Sequence, residues 1–231
     1  MVIVLIMLLI AYRLFLTKVL IRRFRSRDKI ALTFDDGPRP GCTERLLSLL
    51  AANSIPATFF LRGERAAEHP ELVKLIHNSG HAIGNHSFSH PSLLALPASR
   101  VRQEIFKTSE IIENILPERV ILFRPPYGRW SPYLIYLLKK SGMKMILWNC
   151  GSKDYRNTDP EEYFRKISKK LFPGAIITLH DGVGKCDQLL RIVEMIIQYT
   201  REQGWDFVTI PMILQPKVSS SSCVSVPRLK K

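Results

Sequence analysis

Cysteine is scarce, and none of it carries metal or redox spacing: Cys42, Cys150, Cys186 and Cys223 form no C-x-x-C pair. No disulfide framework is indicated, although four cysteines allow three complete pairings. Unpaired cysteines agree with a reducing compartment. The apolar start of the chain lacks a basic n-region and an A-x-A site, which argues against a cleaved signal peptide. No internal repeat is present. The central part of the chain also lacks a strong charge of one sign. The net charge is +14, but residues 12–29 hold seven Lys/Arg against one Asp, and residues 215–231 hold four Lys/Arg against no acid. Residues 30–214 therefore keep only +4. An excess confined to the two ends argues against a general nucleic-acid surface. At the N-terminal end it points to a basic cluster beside a membrane.

Residues 1–12 are apolar without interruption, and Arg13 and Lys18 break the stretch that follows. A bilayer span needs about 20 mainly apolar residues. Residues 1–21 meet this if Arg13 and Lys18 snorkel. The expected organisation is a hydrophobic membrane anchor with its basic flank over 1–28, a folded unit over 29–214, and a flexible, serine-rich basic tail over 215–231. The positive charges follow the apolar run, so the charge rule favours a cytoplasmic folded unit.

Short apolar runs alternate with helical patterns. Strands are expected at 30–34, 57–61, 81–84, 120–123, 143–148, 174–179 and 206–210, and helices at 43–53, 66–79, 98–116, 131–141, 160–171 and 187–203. This alternation implies right-handed crossovers and a parallel sheet. The polar clusters DDGP, NHSFSH, RPPYG, NCGSKDY and HDG each follow a strand. In a closed or nearly closed sheet, such strand ends meet at one mouth. The fold class is therefore α/β, a distorted, incomplete (β/α) barrel of about seven parallel strands preceded by an anchor helix.

Asp35 and Asp36 stand side by side, and adjacent carboxylates need a cation or a raised pKa. His86 and His90, four residues apart, are imidazoles of metal-ligand type. Two His with one Asp and an open position make a catalytic zinc pattern, and either Asp35 or Asp36 can complete it. The remaining carboxylate is then placed to take a proton from a water that the cation has acidified. Arg124, before the stiff Pro125-Pro126, can hold Asp35 by a bidentate pair. The backbone at Tyr127 can aim an N–H at a developing oxyanion. His180 can protonate a leaving amine, with Asp154 as its orienting partner.

The ordered set TFDDGP (33–38), HSFSH (86–90), RPPYG (124–128), KDY (153–155) and LHDG (179–182) resembles the polysaccharide deacetylases of carbohydrate esterase family 4, the NodB-homology group. The resemblance implies a distorted barrel and metal-dependent removal of N- or O-acetyl groups from a sugar polymer or oligosaccharide. It implies Asp35 as general base, Asp36, His86 and His90 as the metal triad, most simply for zinc, and Arg124 as the residue that positions the base. Tyr127 becomes the oxyanion donor and His180 the general acid. Tyr127, Trp148, Tyr155 and Leu179 are the expected substrate-binding positions. The family often has D-x-x-D-W in its fourth motif, where this chain has Gly151 for the first Asp and Tyr155 for the Trp. Thr178 stands where an apolar residue, often Leu, precedes the final His by two. These departures bear on the walls around the acetyl group and sugar more than on metal or base. The rival readings are a deacetylase or deformylase of a lipid-linked sugar at the cytoplasmic face, a catalytically dead sugar-binding barrel, and an anchor or scaffold protein. The expected partners are an acetylated carbohydrate and, through residues 1–21, a membrane.

Overall fold

The run KIALTFD forms a central strand, β2 (Lys29–Asp35), with six of its seven residues buried. Ile30, Leu32 and Phe34 pack on one side beneath helices, while Ala31 and Thr33 face the other. Burial on both faces is why the strand reads as a nearly continuous apolar run. The computed structural model describes residues 20–214 except 152 and 157. Around β2 lie β1 (Leu20–Ile21), β3 (Thr58–Leu61), β4 (Ala82–Asn85), β5 (Leu122–Phe123), β6 (Lys144–Ile146), β7 (Cys150–Gly151), β8 (Ile176–His180) and β9 (Asp206–Phe207). Their order is β1-β6-β5-β4-β3-β2-β8-β7, with β9 beside the start of β2. Every pairing is parallel.

The two ends of this order meet without a ladder. The chain just after β1 reaches the chain just before β8 through Phe24 N–H, which donates to Gly174 O (3.0 Å). Leu147 N–H to Ile21 O (2.7 Å) and Asn149 N–H to Ile176 O (3.2 Å) prolong the β1–β6 and β7–β8 pairings toward this seam. The sheet is thus a curled, incomplete barrel, as the alternation of elements implies. Two of its strands fall outside the expected runs. Leu20 and Ile21, read from sequence as the end of the anchor, instead pair with Met145 and Ile146. Cys150 and Gly151, read as part of a loop, pair with Ile177 and Thr178. Residues 1–19, which hold most of the expected anchor, and residues 215–231 lie outside the described residues. Among the described residues, no helix is long and apolar enough to cross a membrane.

The helices are α1 (Thr43–Ala52), α2 (Gly63–Glu68), α3 (Pro70–Asn78), α4 (Ala98–Ile115), α5 (Pro132–Lys140), α6 (Pro160–Ser168), α7 (Cys186–Glu202) and α8 (Ile210–Leu214). The single helix expected over 66–79 is two. Pro70 disfavours helical geometry at His69, which adopts φ −132°, ψ 60°. The last expected strand stops at Phe207, and Ile210 instead opens α8. Ile210 packs with Ala31, Phe60, Leu122, Ile146 and Ile176 inside the barrel. This apolar layer lies below the strand ends that carry the polar motifs.

Cysteine pairing departs from the sequence expectation. Cys42, just before α1, is bonded to Cys186, the first residue of α7, across 144 residues, with Cα atoms 5.5 Å apart. Spacing along the chain holds no trace of this pair, because the two residues meet only when β2 and β8 lie side by side. Cys150 is a buried free thiol, and burial pushes its pKa up to about 11. The disulfide joins the loop after β2 to the loop after β8. Closing so long a loop stabilises a fold by about 2–4 kcal/mol. We expect C42S/C186S, or reductant on the native chain, to lower the unfolding midpoint in calorimetry by roughly 5–15 °C. An unchanged midpoint would remove the disulfide from the account of stability.

Candidate active site

At the C-terminal end of β2 the chain turns sharply. Asp35 remains in the strand, while Asp36 has φ +69° and the Gly37–Pro38 peptide is cis. The turn is held from beneath. Arg65 Nη1 donates to Asp36 O (2.9 Å) and to Gly182 O. Gly182 must be glycine, since a Cβ there would lie 2.1 Å from Asp36 O. Asp181 is fully buried and accepts from Thr43 Oγ1 (2.6 Å). Burial raises its pKa to about 6, although the Thr43 hydrogen bond opposes the shift.

The segment after β4 is shaped by a second set of contacts. Glu104 of α4 accepts from Phe88 N–H (2.9 Å), Ser89 N–H (2.8 Å) and Ser89 Oγ (2.8 Å). Asn85 Oδ1 accepts from Ser87 N–H (2.8 Å). These bonds sustain the left-handed backbone of Ser87 and His90 (φ +65° and +61°), conformations that non-glycine residues hold only when their surroundings impose them. As a result His86 and His90 converge on Asp36. His90 Nε2 lies 3.3 Å and His86 Nε2 3.8 Å from Asp36 Oδ1.

One donor atom from each of Asp36, His86 and His90 lies within 4.8 Å of the others. His86 Nδ1–H donates to Arg124 O (2.7 Å), which leaves its Nε2 lone pair facing the carboxylates. Burial lowers the His86 pKa to about 3, against the opposing charge of Asp36, so the ring is neutral and able to ligate. Asp36 Oδ1 is buried and has no hydrogen-bond partner among the described residues. A neutral imidazole pair with an unsatisfied carboxylate oxygen is a donor set that fits a divalent cation.

Arg124 lies immediately below, with no exposed surface. Its Nη1 donates to Asp35 Oδ1 (2.6 Å), Thr33 Oγ1 (2.7 Å) and Thr178 Oγ1 (2.8 Å), and its Nε to Ile146 O (3.2 Å). The guanidinium also lies 4.0 Å from the Phe60 ring centroid and 5.6 Å from that of Trp148. The contact to Asp35 uses one nitrogen and is not the bidentate pair expected from sequence. The other oxygen, Asp35 Oδ2, is thereby left facing His86 Nε2 at 3.9 Å.

Across the mouth, His180 Nδ1 pairs with Asp154 Oδ1 (2.6 Å), while His180 N–H donates to Asp154 Oδ2 (2.9 Å). Burial opposes charge on this ring. The hydrogen bond and charge of Asp154, with Asp35 and Asp36 behind it, outweigh burial and raise the pKa to about 9. Tyr127 is exposed, with φ +59°, and its ring lies 4.8 Å from that of His90. Tyr155 is exposed beside His180, 4.9 Å between ring centroids. Trp148 is half-buried, against Arg124 and the backbone of Gly128.

The structure therefore gathers Asp35, Asp36, His86, His90, Arg124, Tyr127, Trp148, Asp154, Tyr155 and His180 at one barrel end. Leu179 does not belong with them. It pairs in register with Phe34 and is fully buried in the core beneath the helices, because alternation along β8 turns it away from Thr178 and His180. Thr178 does not line the mouth either: it is fully buried and accepts from Arg124. Gly151 has φ +85°, and a Cβ there would lie 2.3 Å from Thr178 O, so no side chain fits without moving β8. Sequence reasoning passed over Glu104, Arg65, Asp181 and Thr33. The one signal for Thr33 and Thr178 was a hydroxyl inside an otherwise apolar strand.

The polysaccharide deacetylase family profile matches residues 23–146. A chitooligosaccharide deacetylase of Rhizobium leguminosarum bv. trifolii is 31% identical over 211 residues, covering 86% of this chain and 98% of its own. The crystal structure of the Bc1960 peptidoglycan N-acetylglucosamine deacetylase superposes with a TM-score of 0.82 at 30% identity, over 86% of this chain and 94% of its own. BA3943 of Bacillus anthracis, described as a CE4 family pseudoenzyme, superposes with a TM-score of 0.79 at 25% identity, over 85% of this chain and 69% of its own. With its motifs meeting at one mouth and its sequence matched over more than half its length, the chain belongs to the polysaccharide deacetylase family, hydrolases acting on the amide bonds of acetylated sugars.

Proposed function

We propose that this chain removes N-acetyl groups from N-acetylglucosamine-containing oligo- or polysaccharides, with zinc as its cation. One observation carries the reading: the Asp36/His86/His90 triad, the Asp35–Arg124 pair and the His180–Asp154 pair share one mouth. A cation held by Asp36, His86 and His90 supplies Lewis acidity toward the acetyl carbonyl and lowers the pKa of a nearby water. Asp35, fixed through Oδ1, offers Oδ2 to take the proton of the attacking water. The Tyr127 N–H receives the negative charge that develops on the carbonyl oxygen. His180, held as imidazolium by Asp154, gives its proton to the departing nitrogen as the C–N bond breaks, and acetate leaves. An amine departs poorly without that proton, so a raised imidazole pKa favours N- over O-deacetylation. Tyr127 and Tyr155 form an aromatic rim for the sugar, with Trp148 behind them.

The intact triad and base speak against a dead sugar-binding barrel. The Cys42–Cys186 bond supports an oxidising compartment. It favours an exported, polymer-directed enzyme over action on a lipid-linked precursor at the cytoplasmic face, against the charge-rule expectation.

Acetate release from chitooligosaccharides tests the proposal. D35N should lower the rate by about 100-fold or more while zinc binding by calorimetry is retained. H86A should weaken zinc by about 100-fold or more, since loss of a ligand exceeds the loss of a supporting contact. Native activity in D35N would falsify the assignment of the base. His180 is needed protonated, so activity should fall as pH rises through about 9. D154N removes the contact that raises this pKa, so the alkaline limb should move to lower pH. A limb that stays in place would mean that His180 does not supply the proton.

A further inference from the structure

The end of the barrel opposite the mouth has a character of its own. β2 has seven residues, so at ~3.3 Å per residue Lys29 lies roughly 20 Å from Asp35. Around Lys29 the chain folds back under the barrel. Phe24 N–H donates to Gly174 O (3.0 Å), and Gly174 N–H donates to Lys29 O (2.7 Å). A cleft of about 650 Å³ opens here between Phe24, Arg25, Arg27 and Lys29 on one side and Met212 and Ile213 on the other. A second, of about 430 Å³, adjoins it between Arg23, Arg25 and Phe172. Phe172 and Met212 are exposed, 37% and 56%. Lys169 and Lys170, also exposed, lie just before Phe172. The acids beside these cations include Asp28, which lines the first cleft, and Asp206, which is paired with Lys29 (3.6 Å), while Glu118 lies near Pro211 of α8.

Both ends of the described chain reach this face. Leu20 begins a strand parallel to β6, so the preceding residues join at the N-terminal side of the sheet. Leu214 ends α8, whose Met212 and Ile213 line the first cleft. The two segments that hold most of the charge excess, 12–29 and 215–231, are therefore attached at one end of the barrel. The uninterrupted apolar run 1–12 is joined there as well.

We propose that this face rests on an anionic phospholipid bilayer and holds the catalytic mouth away from it. Cations interleaved with exposed Phe and Met match a lipid interface, where headgroups meet the charge and the acyl boundary takes the apolar side chains. A soluble polyanion would satisfy the cations and leave Phe172 and Met212 in water. The mouth then points outward, where a polymer too large to approach the bilayer can reach it.

The test uses the full-length protein on vesicles of phosphatidylcholine alone and of phosphatidylcholine with one-third phosphatidylglycerol. The ratio of the two partition coefficients cancels the apolar run, which contributes to both. We expect R23Q/R25Q, and separately K169Q/K170Q, to lower this ratio about fivefold per cation removed with an unchanged unfolding midpoint. Hydrogen exchange on the anionic vesicles should slow at residues 22–29 and 168–174 and stay unchanged at 127–130. An unaltered ratio in both double variants, or protection at 127–130 instead, overturns the proposal.

Discussion

Arg124 is a guanidinium with no exposed surface at the centre of a barrel, and the geometry around it follows from the need to compensate that charge. An unpaired buried cation is strongly unfavourable, and removing one member of a buried pair typically costs about 3–5 kcal/mol. Here the compensation comes from several strands at once: Asp35 and Thr33 of β2, Thr178 of β8, and the Ile146 carbonyl of β6, with Phe60 and Trp148 against the guanidinium. The residue also acts through its backbone, because its carbonyl accepts from His86 and so sets the tautomer of a metal-ligand candidate. One buried arginine thus couples the base, the triad and the closure of the sheet.

Above it, the reacting groups stand on backbone that is locally unfavourable. Asp36, Ser87, His90 and Tyr127 all have positive φ. Such conformations persist where other contacts over-determine them, and each has its support here. Arg65 and Gly182 pin the turn at Asp36, Glu104 and Asn85 pin the loop between the histidines, and Gly128 N–H, donating to Pro125 O (3.0 Å), closes the turn at Tyr127. The disulfide joins the loops after β2 and β8 just outside this region. The molecule is polarised along the barrel axis, with paired carboxylates and imidazoles at one end and an arginine-rich, partly apolar surface at the other.

The legible parts of the sequence share one property: their signal is local. Strands 30–34 and 174–179 were visible as apolar runs, and Asp35, Asp36, His86, His90, Arg124 and His180 were visible because each sits where such a run ends. Parallel β–α alternation places all such ends on the same side, so their convergence followed from pattern alone. Leu179 shows the limit. It lies within a motif, yet the period-two alternation of β8 turns it into the helix-covered core. Leu20 and Ile21 show it again, since an apolar pair after an apolar run looks the same whether it enters lipid or a sheet.

The sequence by itself determined the order of elements, the parallel sheet and the identity of the charged groups at its end, because propensity, periodicity and punctuation act over a few residues. Only the tertiary structure decided which distant groups complete each other. Cys42 finds Cys186, Thr178 finds Arg124, and Glu104 finds the loop between His86 and His90. These contacts depend on curling the sheet until β2 and β8 are neighbours and the chain after β6 crosses the seam. That closure is set by the burial of the barrel interior and the satisfaction of its polar groups, which no short window of the chain contains.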